Sequence, residues 1–313
     1  MKQISIILCS CNRAENLRKT LESLELQLPV DDSHIEIIVV DNASKDHTPE
    51  VIAEFAARRP CFVHVHEPTP GKSVALNRAG RESTGEIMVW IDDDVIPKPG
   101  WLDAVTRPLI EGPCTAVVGR VSLAPYLSRD WMTPDLRDRL AEIPSSDGVW
   151  FFTGSNMAAT RALYNKTQGY DENLGPGGKG LGLQDDSLMG IHLQQVGARI
   201  HNAEDGEVEH HLQVDRLKRK SWMRMAGTLG RSSAYVTHHW YHTTVPYAGL
   251  KKFRKKIQFM FWNWRNRPNT DPESEGITSA EMSFMQTIAY LDQYQIESRK
   301  PRNYEKEQLP KKA

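Results

Sequence analysis

Three consecutive carboxylates, Asp92-Asp93-Asp94, follow the apolar run Ile87-Met88-Val89-Trp90-Ile91 and precede Val95-Ile96-Pro97. Adjacent like charges at the end of a buried strand repel one another and cost stability unless a cation neutralises them. A hard divalent ion held by one or two carboxylates together with substrate phosphates meets that need. A solvated acidic turn is the structural alternative. Further upstream, Asp41 opens the segment Asp41-Asn42-Ala43-Ser44-Lys45-Asp46, which can bind a ligand or build a turn and a helix cap. Lys72 follows Gly71 at the start of a helical pattern, where backbone N–H groups and a cation favour phosphate or a nucleotide edge. Arg13, just past the first apolar run, is suited to the same task, and both also fit ordinary helix-surface charges. Asp185-Asp186 is a second acidic pair, placed where paired acids favour a helix N-terminus.

These residues need elements to position them. Short runs rich in β-branched residues recur at 4–9, 35–40, 62–65, 87–91 and 116–121. Between them lie segments with helical spacing, such as Leu17, Leu21, Leu24 and Leu28, or Val51, Ile52 and Phe55. Strand-helix alternation with nearly continuous apolar strands predicts an α/β fold, a parallel sheet covered on both faces. Ligands of such sheets sit beyond the carboxyl ends of the strands. Ser10-Cys11-Asn12-Arg13, Asp41 and Asp92-Asp93-Asp94 all fall there. Residues 122–149 are polar and punctuated by proline, as a loop with one helix. Residues 149–159 read as a strand, followed by a short helix from Thr160. A glycine-rich segment, 169–182, is expected to be a mobile backbone suited to closing over a ligand. A helix over 185–196 and a strand over 198–202 precede His210-His211.

In order along the chain stand Ser10-Cys11-Asn12-Arg13, Val39-Val40-Asp41-Asn42-Ala43-Ser44-Lys45-Asp46, Gly71-Lys72-Ser73-Val74-Ala75-Leu76-Asn77-Arg78-Ala79-Gly80, the acid triplet, Gly154-Ser155-Asn156-Met157, the glycine-rich loop and Gln184-Asp185-Asp186-Ser187-Leu188. This ordered set, over about residues 3–215, resembles a family 2 glycosyltransferase with the GT-A fold. The resemblance implies a Rossmann-like, mostly parallel sheet and transfer of a sugar from a UDP, GDP or dTDP sugar to a glycan or lipid-linked acceptor hydroxyl. It also implies Mn2+ or Mg2+ and inversion at the anomeric carbon, in surface polysaccharide or glycolipid synthesis. The donor would be held by Ser10, Asn12, Arg13, Asp41, Lys72, Asn77, Asp92 and Asp93. Asp92 and Asp94 carry the Asp-x-Asp element, with Asp94 the more direct ligand and Asp93 outside the pattern and free to face solvent. His210 would be a further metal ligand, and an imidazole suits Mn2+ better than Mg2+. The family's acidic pair supplies a general base, which maps to Asp186, or to Asp185 standing where Glu is more frequent. Gly154, Asn156 and Gly178 fall on the acceptor side. A catalytically inactive sugar-nucleotide binding protein is the competing reading, as is a sugar nucleotidyltransferase. The latter class opens with a glycine-rich phosphate loop, which the stretch from Ser10 to Glu15 lacks.

The remaining sequence differs in character. The chain of 313 residues has 39 basic and 40 acidic side chains and a net charge of -1, yet residues 1–211 carry 20 Lys/Arg against 31 Asp/Glu. Residues 212–313 carry 19 against 9, and 216–267 holds 13 basic residues and no acid. The expected organisation is a catalytic domain at 1–215, with a nucleotide-binding half at 1–120 and an acceptor half at 121–215. A basic helical extension at 216–298 and a disordered tail at 299–313 follow. Within the extension, Leu250, Phe253, Ile257, Met260 or Phe261, and Trp264 recur at helical spacing, with Lys251, Lys252, Lys255 and Lys256 on another face. That composition fits a peripheral helix on an anionic membrane, a helix packed on its own catalytic domain or on a partner subunit, or a surface recruiting an anionic acceptor. Nucleic acid is excluded as the favoured partner, because no reading motif accompanies the charge. Four cysteines, without a Cys-x-x-Cys pair, suggest reduced thiols and a cytoplasmic protein at most docked on the inner face of the membrane. The run 4–8 is too short for a secretory signal.

Overall fold

In the computed structural model, residues 3–140, 152–178 and 181–309 are described. The chain forms two compact units. The first comprises 1–128, 137–178 and 185–212, and the second 129–136, 179–184 and 213–313, each in its described residues.

The first unit is built on one eight-stranded sheet. Its strands are β1 (Ile4–Ser10), β2 (Ile35–Asn42), β3 (Phe62–Glu67), β4 (Ile87–Ile91), β5 (Val95–Pro97), β6 (Ala116–Leu123), β7 (Asn156–Thr160) and β8 (Ile200–His210). The spatial order is β3-β2-β1-β4-β7-β6-β8-β5. The first four strands run parallel, β7 is antiparallel to both β4 and β6, and β5 is antiparallel to β8. Helices α1 (Ala14–Gln27), α2 (Thr48–Arg58), α3 (Lys72–Glu82) and α4 (Trp101–Glu111) make the crossovers. Central strands are buried on both faces, with Ile6, Ile7, Leu8, Val39, Val40, Val89 and Trp90 all inaccessible, and Leu17, Leu21 and Leu24 of α1 close one side. The chain leaves β1 first toward β2 and β3, then returns to the other side of β1 as β4. The crevice at that reversal, beyond the carboxyl ends of β1 and β4, is where such sheets bind ligands. Ser10 and Asp92 mark it.

Several sequence expectations change. Residue 120 lies inside β6, so the two expected halves of the catalytic domain share one sheet rather than dividing there. Of the strand expected over 149–159, residues 149–151 lie outside the described residues, 152–155 form no strand, and β7 begins at Asn156. The strand expected over 198–202 runs on to His210, because its charged half pairs with β6 and β5. The short helix after Thr160 is α6 (Arg161–Tyr164), capped by the Thr160 hydroxyl, and α7 spans Asp185–Gln195. A five-residue helix, α5 (Pro134–Asp138), lies in the polar stretch before it.

The second unit contains α8 (Arg219–His239), α9 (Ala248–Asn266) and α10 (Ser279–Glu297). Ala234 of α8, Ala248 of α9, and Leu291 and Tyr294 of α10 form its small core. A buried pair, Arg219 with Glu281, ties the starts of α8 and α10. Residues 299–309 differ from the disordered tail expected there. The Asn303 amide donates to Nδ1 of His239, and the Tyr304 ring meets Trp240 edge-on at 5.2 Å. Aromatic burial holds this segment where charge content alone predicts none. Residues 310–313 lie outside the described residues. Among the described residues, no helix is long and apolar enough to cross a membrane.

Candidate active site

Parallel register aligns the carboxyl ends of three strands. Ser10 of β1 lies beside Asp41 of β2, and Asp41 beside His66 of β3. The buried Asp41 carboxylate accepts from the Ser44 amide at 3.1 Å and meets Nδ1 of His66 at 2.8 Å. Asn12, in the left-handed region at φ 54°, accepts from the Lys45 amide at 2.7 Å, and its own amide donates to the Ser44 hydroxyl. Asp41, Asn12 and Ser44 thus brace one loop cluster at the sheet edge. His66 was missed by sequence reasoning, although the strand-end rule applied to the third strand points to it.

The acid triplet resolves into three environments. Asp92 receives the Lys72 ammonium at 2.6 Å and the Ser155 hydroxyl at 2.8 Å. Asp93 accepts from the Ser10 hydroxyl at 2.6 Å and from Arg13 at 2.8 Å. Asp94 accepts from the same Arg13 nitrogen at 2.8 Å and lies 3.2 Å from Nε2 of His210. Asp93 is therefore buried, contrary to the expectation that it faces solvent, because Ser10 and Arg13 give it partners inside. Burial, reinforced by Asp94 and opposed by Arg13, pushes its pKa up to about 6. At Asp94 burial works the same way, but His210 and Arg13 outweigh it and hold the carboxyl well below the usual range. At Asp92 burial is likewise outweighed by Lys72, and the pKa is lowered. Lys72 and Arg13 were expected to meet the donor's phosphates. Here both cations are committed to the triplet.

His210 reaches this point because β5 and β8 pair with Val95 opposite His210, one residue after Asp94. Its Nδ1 lies 3.0 Å from the Leu140 carbonyl, an acceptor, so Nδ1 carries a proton. In the neutral ring Nε2 then turns a lone pair toward the Asp94 carboxylate, an arrangement that requires a proton or a cation between them. Burial disfavours charge on this ring, but Asp94 beside it prevails and raises the His210 pKa. His211 instead pairs with Glu209. Among the described residues no group of three or more His, Cys, Asp or Glu side chains is arranged as a metal site. The Asp94–His210 pair, one oxygen and one nitrogen donor, fits a divalent ion whose remaining positions are filled by phosphate oxygens and water.

Asp185 and Asp186 open α7 and point to different places. A Cβ placed on Gly154 would lie 2.9 Å from Oδ1 of Asp186 and 3.1 Å from Nζ of Lys72. Any larger residue there would push that carboxylate or ammonium aside. A Cβ on Gly175 would instead lie 3.0 Å from Oδ2 of Asp185 and 2.8 Å from the Ser73 hydroxyl. Three buried polar atoms, Oδ1 of Asp186, Oδ2 of Asp185 and the Tyr170 hydroxyl, have no hydrogen-bond partner among the described residues. Burial, with Asp186 next to it, raises Asp185 to about 7, and burial also raises Asp186 against the pull of Lys72.

Two sequence assignments are corrected. Asn156 is saturated: it accepts from Trp101 Nε1 at 2.9 Å and donates to the carbonyls of Arg120 and Gly206. It therefore joins strands and has no group left for an acceptor. Asn77 accepts from the Tyr170 amide at 2.8 Å and donates to the Tyr170 carbonyl, so it clamps the glycine-rich loop rather than presenting an amide to the donor. Over 169–178 that loop is hydrogen-bonded to α3, while residues 179 and 180 lie outside the described residues. The Ser73 hydroxyl donates to the Leu174 carbonyl, and the Lys72 amide donates to Pro176 at 2.8 Å. The Lys72 amide, expected to serve phosphate, is thus taken by the loop, while the Gly71 amide is taken by Asn42. Gly178 sits against Gly71, whose φ of 141° and bare Cα allow the approach. Ser155 was passed over in the sequence, since nothing in its spacing reveals that it holds Asp92.

An open, mostly parallel α/β sheet with helices on its faces, followed by a helical region, has the GT-A fold. The sequence profile of Glycosyl transferase family 2 matches residues 5–168, and the chain belongs to that family. It is similar to the glucosyl-dolichyl phosphate glucuronosyltransferase of Haloferax volcanii, with 22% identity over 67% of this chain and 69% of the relative. Glycosyltransferase AglD of the same organism is 30% identical over 47% of this chain, a match that spans 22% of that relative's length. Among solved structures, the mannosyltransferase PcManGT from Pyrobaculum calidifontis, in complex with GDP-Man and Mn2+, matches at TM-score 0.56 and 20% identity. That match covers 95% of this chain and 73% of the other.

Proposed function

We propose that this glycosyltransferase moves a sugar from a nucleoside-diphosphate sugar to an acceptor hydroxyl, with a divalent ion and with inversion. The observation that carries the reading is one continuous cluster of carboxylates. Asp92 neighbours Asp94 with its His210 donor on one side and, through Lys72, reaches toward Asp186 with its unpartnered oxygen on the other. The first end suits a diphosphate leaving group, and the second an attacking hydroxyl.

Asp94 and His210 would hold Mn2+ or Mg2+, which when bound supplies Lewis-acid stabilisation of the departing diphosphate. Arg13 keeps Asp93 and Asp94 folded inward by spreading one positive charge over both. Asp186 takes the proton of the acceptor hydroxyl as its oxygen forms a bond to the anomeric carbon, while the bond from that carbon to the diphosphate breaks with its electron pair leaving on phosphate oxygen. Burial suits this role, because a carboxylate with a raised pKa is a stronger base than an exposed one. Lys72, between Asp92 and Asp186, opposes that rise and favours the ionised base. Asp41, whose carboxylate also meets His66, would contact the nucleobase or ribose. The acceptors we favour are glycans or lipid-linked sugars of surface polysaccharide or glycolipid synthesis.

The test is diphosphate release from a panel of UDP, GDP and dTDP sugars, with and without Mn2+ or Mg2+. Asp186→Asn should retain donor binding within a few-fold yet lower turnover by about 100-fold or more, the usual scale of a lost general base. Asp94→Asn should lose the response to added ion. Ion-independent release, or full activity in Asp186→Asn, would overturn the assignment.

A further inference from the structure

The helix α9 packs on α10 with one face only. Phe259 and Trp262 meet the Phe284 ring at 5.3 and 6.1 Å, Lys255 lies over the same ring, and Lys252 pairs with Asp292 at 2.6 Å. At 3.6 residues per turn, Leu250, Phe253, Ile257, Met260, Phe261 and Trp264 fall within an arc of about 100° on the other side. Apart from half-buried Ile257, these side chains are 59 to 75% exposed. Tyr247, at the start of the helix, is exposed as well. Contact with α10 from Lys252 to Trp262 therefore leaves the more hydrophobic stripe of the helix facing outward.

Charge follows the same division. Lys256 borders the stripe on one side, and Arg254, Arg265 and Lys251 border it on the other. Among the described residues none of these four has an acidic partner. The helix has no Asp or Glu, and neither has the surrounding stretch 216–267. An exposed apolar stripe between two basic margins, with Tyr247 and Trp264 near its ends, matches an apolar layer bounded by anionic groups.

We infer that α9 is an in-plane docking surface for an anionic lipid bilayer, its stripe entering the headgroup boundary while Lys251, Arg254, Lys256 and Arg265 meet lipid phosphates. A protein partner or a second copy could cover the stripe, but neither accounts for unpaired cations on both margins. The surface also narrows the choice left by the sequence: Lys252 and Lys255 serve α10, not the membrane.

Sedimentation of the full chain with phosphatidylcholine vesicles, with and without phosphatidylglycerol, tests this. Binding should need the anionic lipid and should fall with added salt. Replacing Lys251, Arg254, Lys256 and Arg265 by Gln should weaken it by about 100-fold or more, at roughly five-fold per charge. The triple variant Phe253→Ser, Phe261→Ser, Trp264→Ser should abolish it, while donor binding and circular dichroism stay as in the parent. Equal binding to both vesicle types, or no loss in either variant, overturns the proposal. So does a dimer that dissociates when the stripe is replaced, which would assign the surface to a second copy. No transfer reaction enters the readout, so its failure leaves the transferase reading standing.

Discussion

At the scale of single residues, the site is a set of carboxylates kept charged or neutral by what stands next to them. Asp185 illustrates the cost. Its pKa lies above that of an exposed aspartate, at about 7, so the folded state binds its proton more tightly than the unfolded chain does. That contribution is fully present below the unfolded value and is lost as pH rises toward the folded one. Denaturant titrations should show stability falling between about pH 4 and pH 7, and Asp185→Asn should flatten that slope. A slope unchanged in the variant would remove Asp185 as its source. Much of this was legible beforehand, since a charged residue ending an apolar run is conspicuous in any sequence. The partners were not. Asn156 and Asp186 both belong to matching motifs, yet one is consumed by Trp101 and two carbonyls while the other keeps an oxygen unpaired. A motif gives a position along the chain, and only packing decides which way a side chain faces.

Elements carry these residues by register. The alignment of Ser10, Asp41 and His66 needs two parallel pairings. The meeting of Asp94 with His210 needs the antiparallel pairing of β5 with β8. The long buried strands were readable from their apolar runs. β5 has three residues, one of them proline, and β8 carries four acids, Glu204, Asp205, Glu207 and Glu209. Local pattern misses β5 and gives only the start of β8, because β5 exists by pairing with β8, and the charged half of β8 by pairing with β5 and β6. The segment entering β7 offers a test at this scale. Gly154→Ala puts a methyl group 2.9 Å from Oδ1 of Asp186 and 3.1 Å from Lys72. The expected outcome is a fall in kcat of about tenfold or more, with stability changed by roughly 1 kcal/mol or less. Steady-state rates and thermal melting together check it, and an unaltered kcat would mean the base lies elsewhere.

For the whole molecule, a net charge of -1 conceals an acidic first unit and a basic second one. The acids of the first are spread over its strands, helices and loops, whereas ten bases of the second lie on α8 and α9. The sequence showed this division of charge, but not that α9 turns its apolar stripe away from α10, since periodicity does not say which face a neighbour takes. The β5–β8 pairing also has a temporal meaning. His210 follows Asp94 by more than a hundred residues, and β5 has β8 as its sheet neighbour. During synthesis the acid triplet leaves the ribosome long before the strand that completes its surroundings. A nascent chain therefore carries the triplet without His210 and with β5 unpaired, and long-range pairings of this kind close late. A chain ending at residue 199 should accordingly show no cooperative thermal transition, whereas the full chain should. The buried pair of Asp94 with His210 would then arrive with the last strand of the sheet, so that a half-made chain lacks the ion site proposed above.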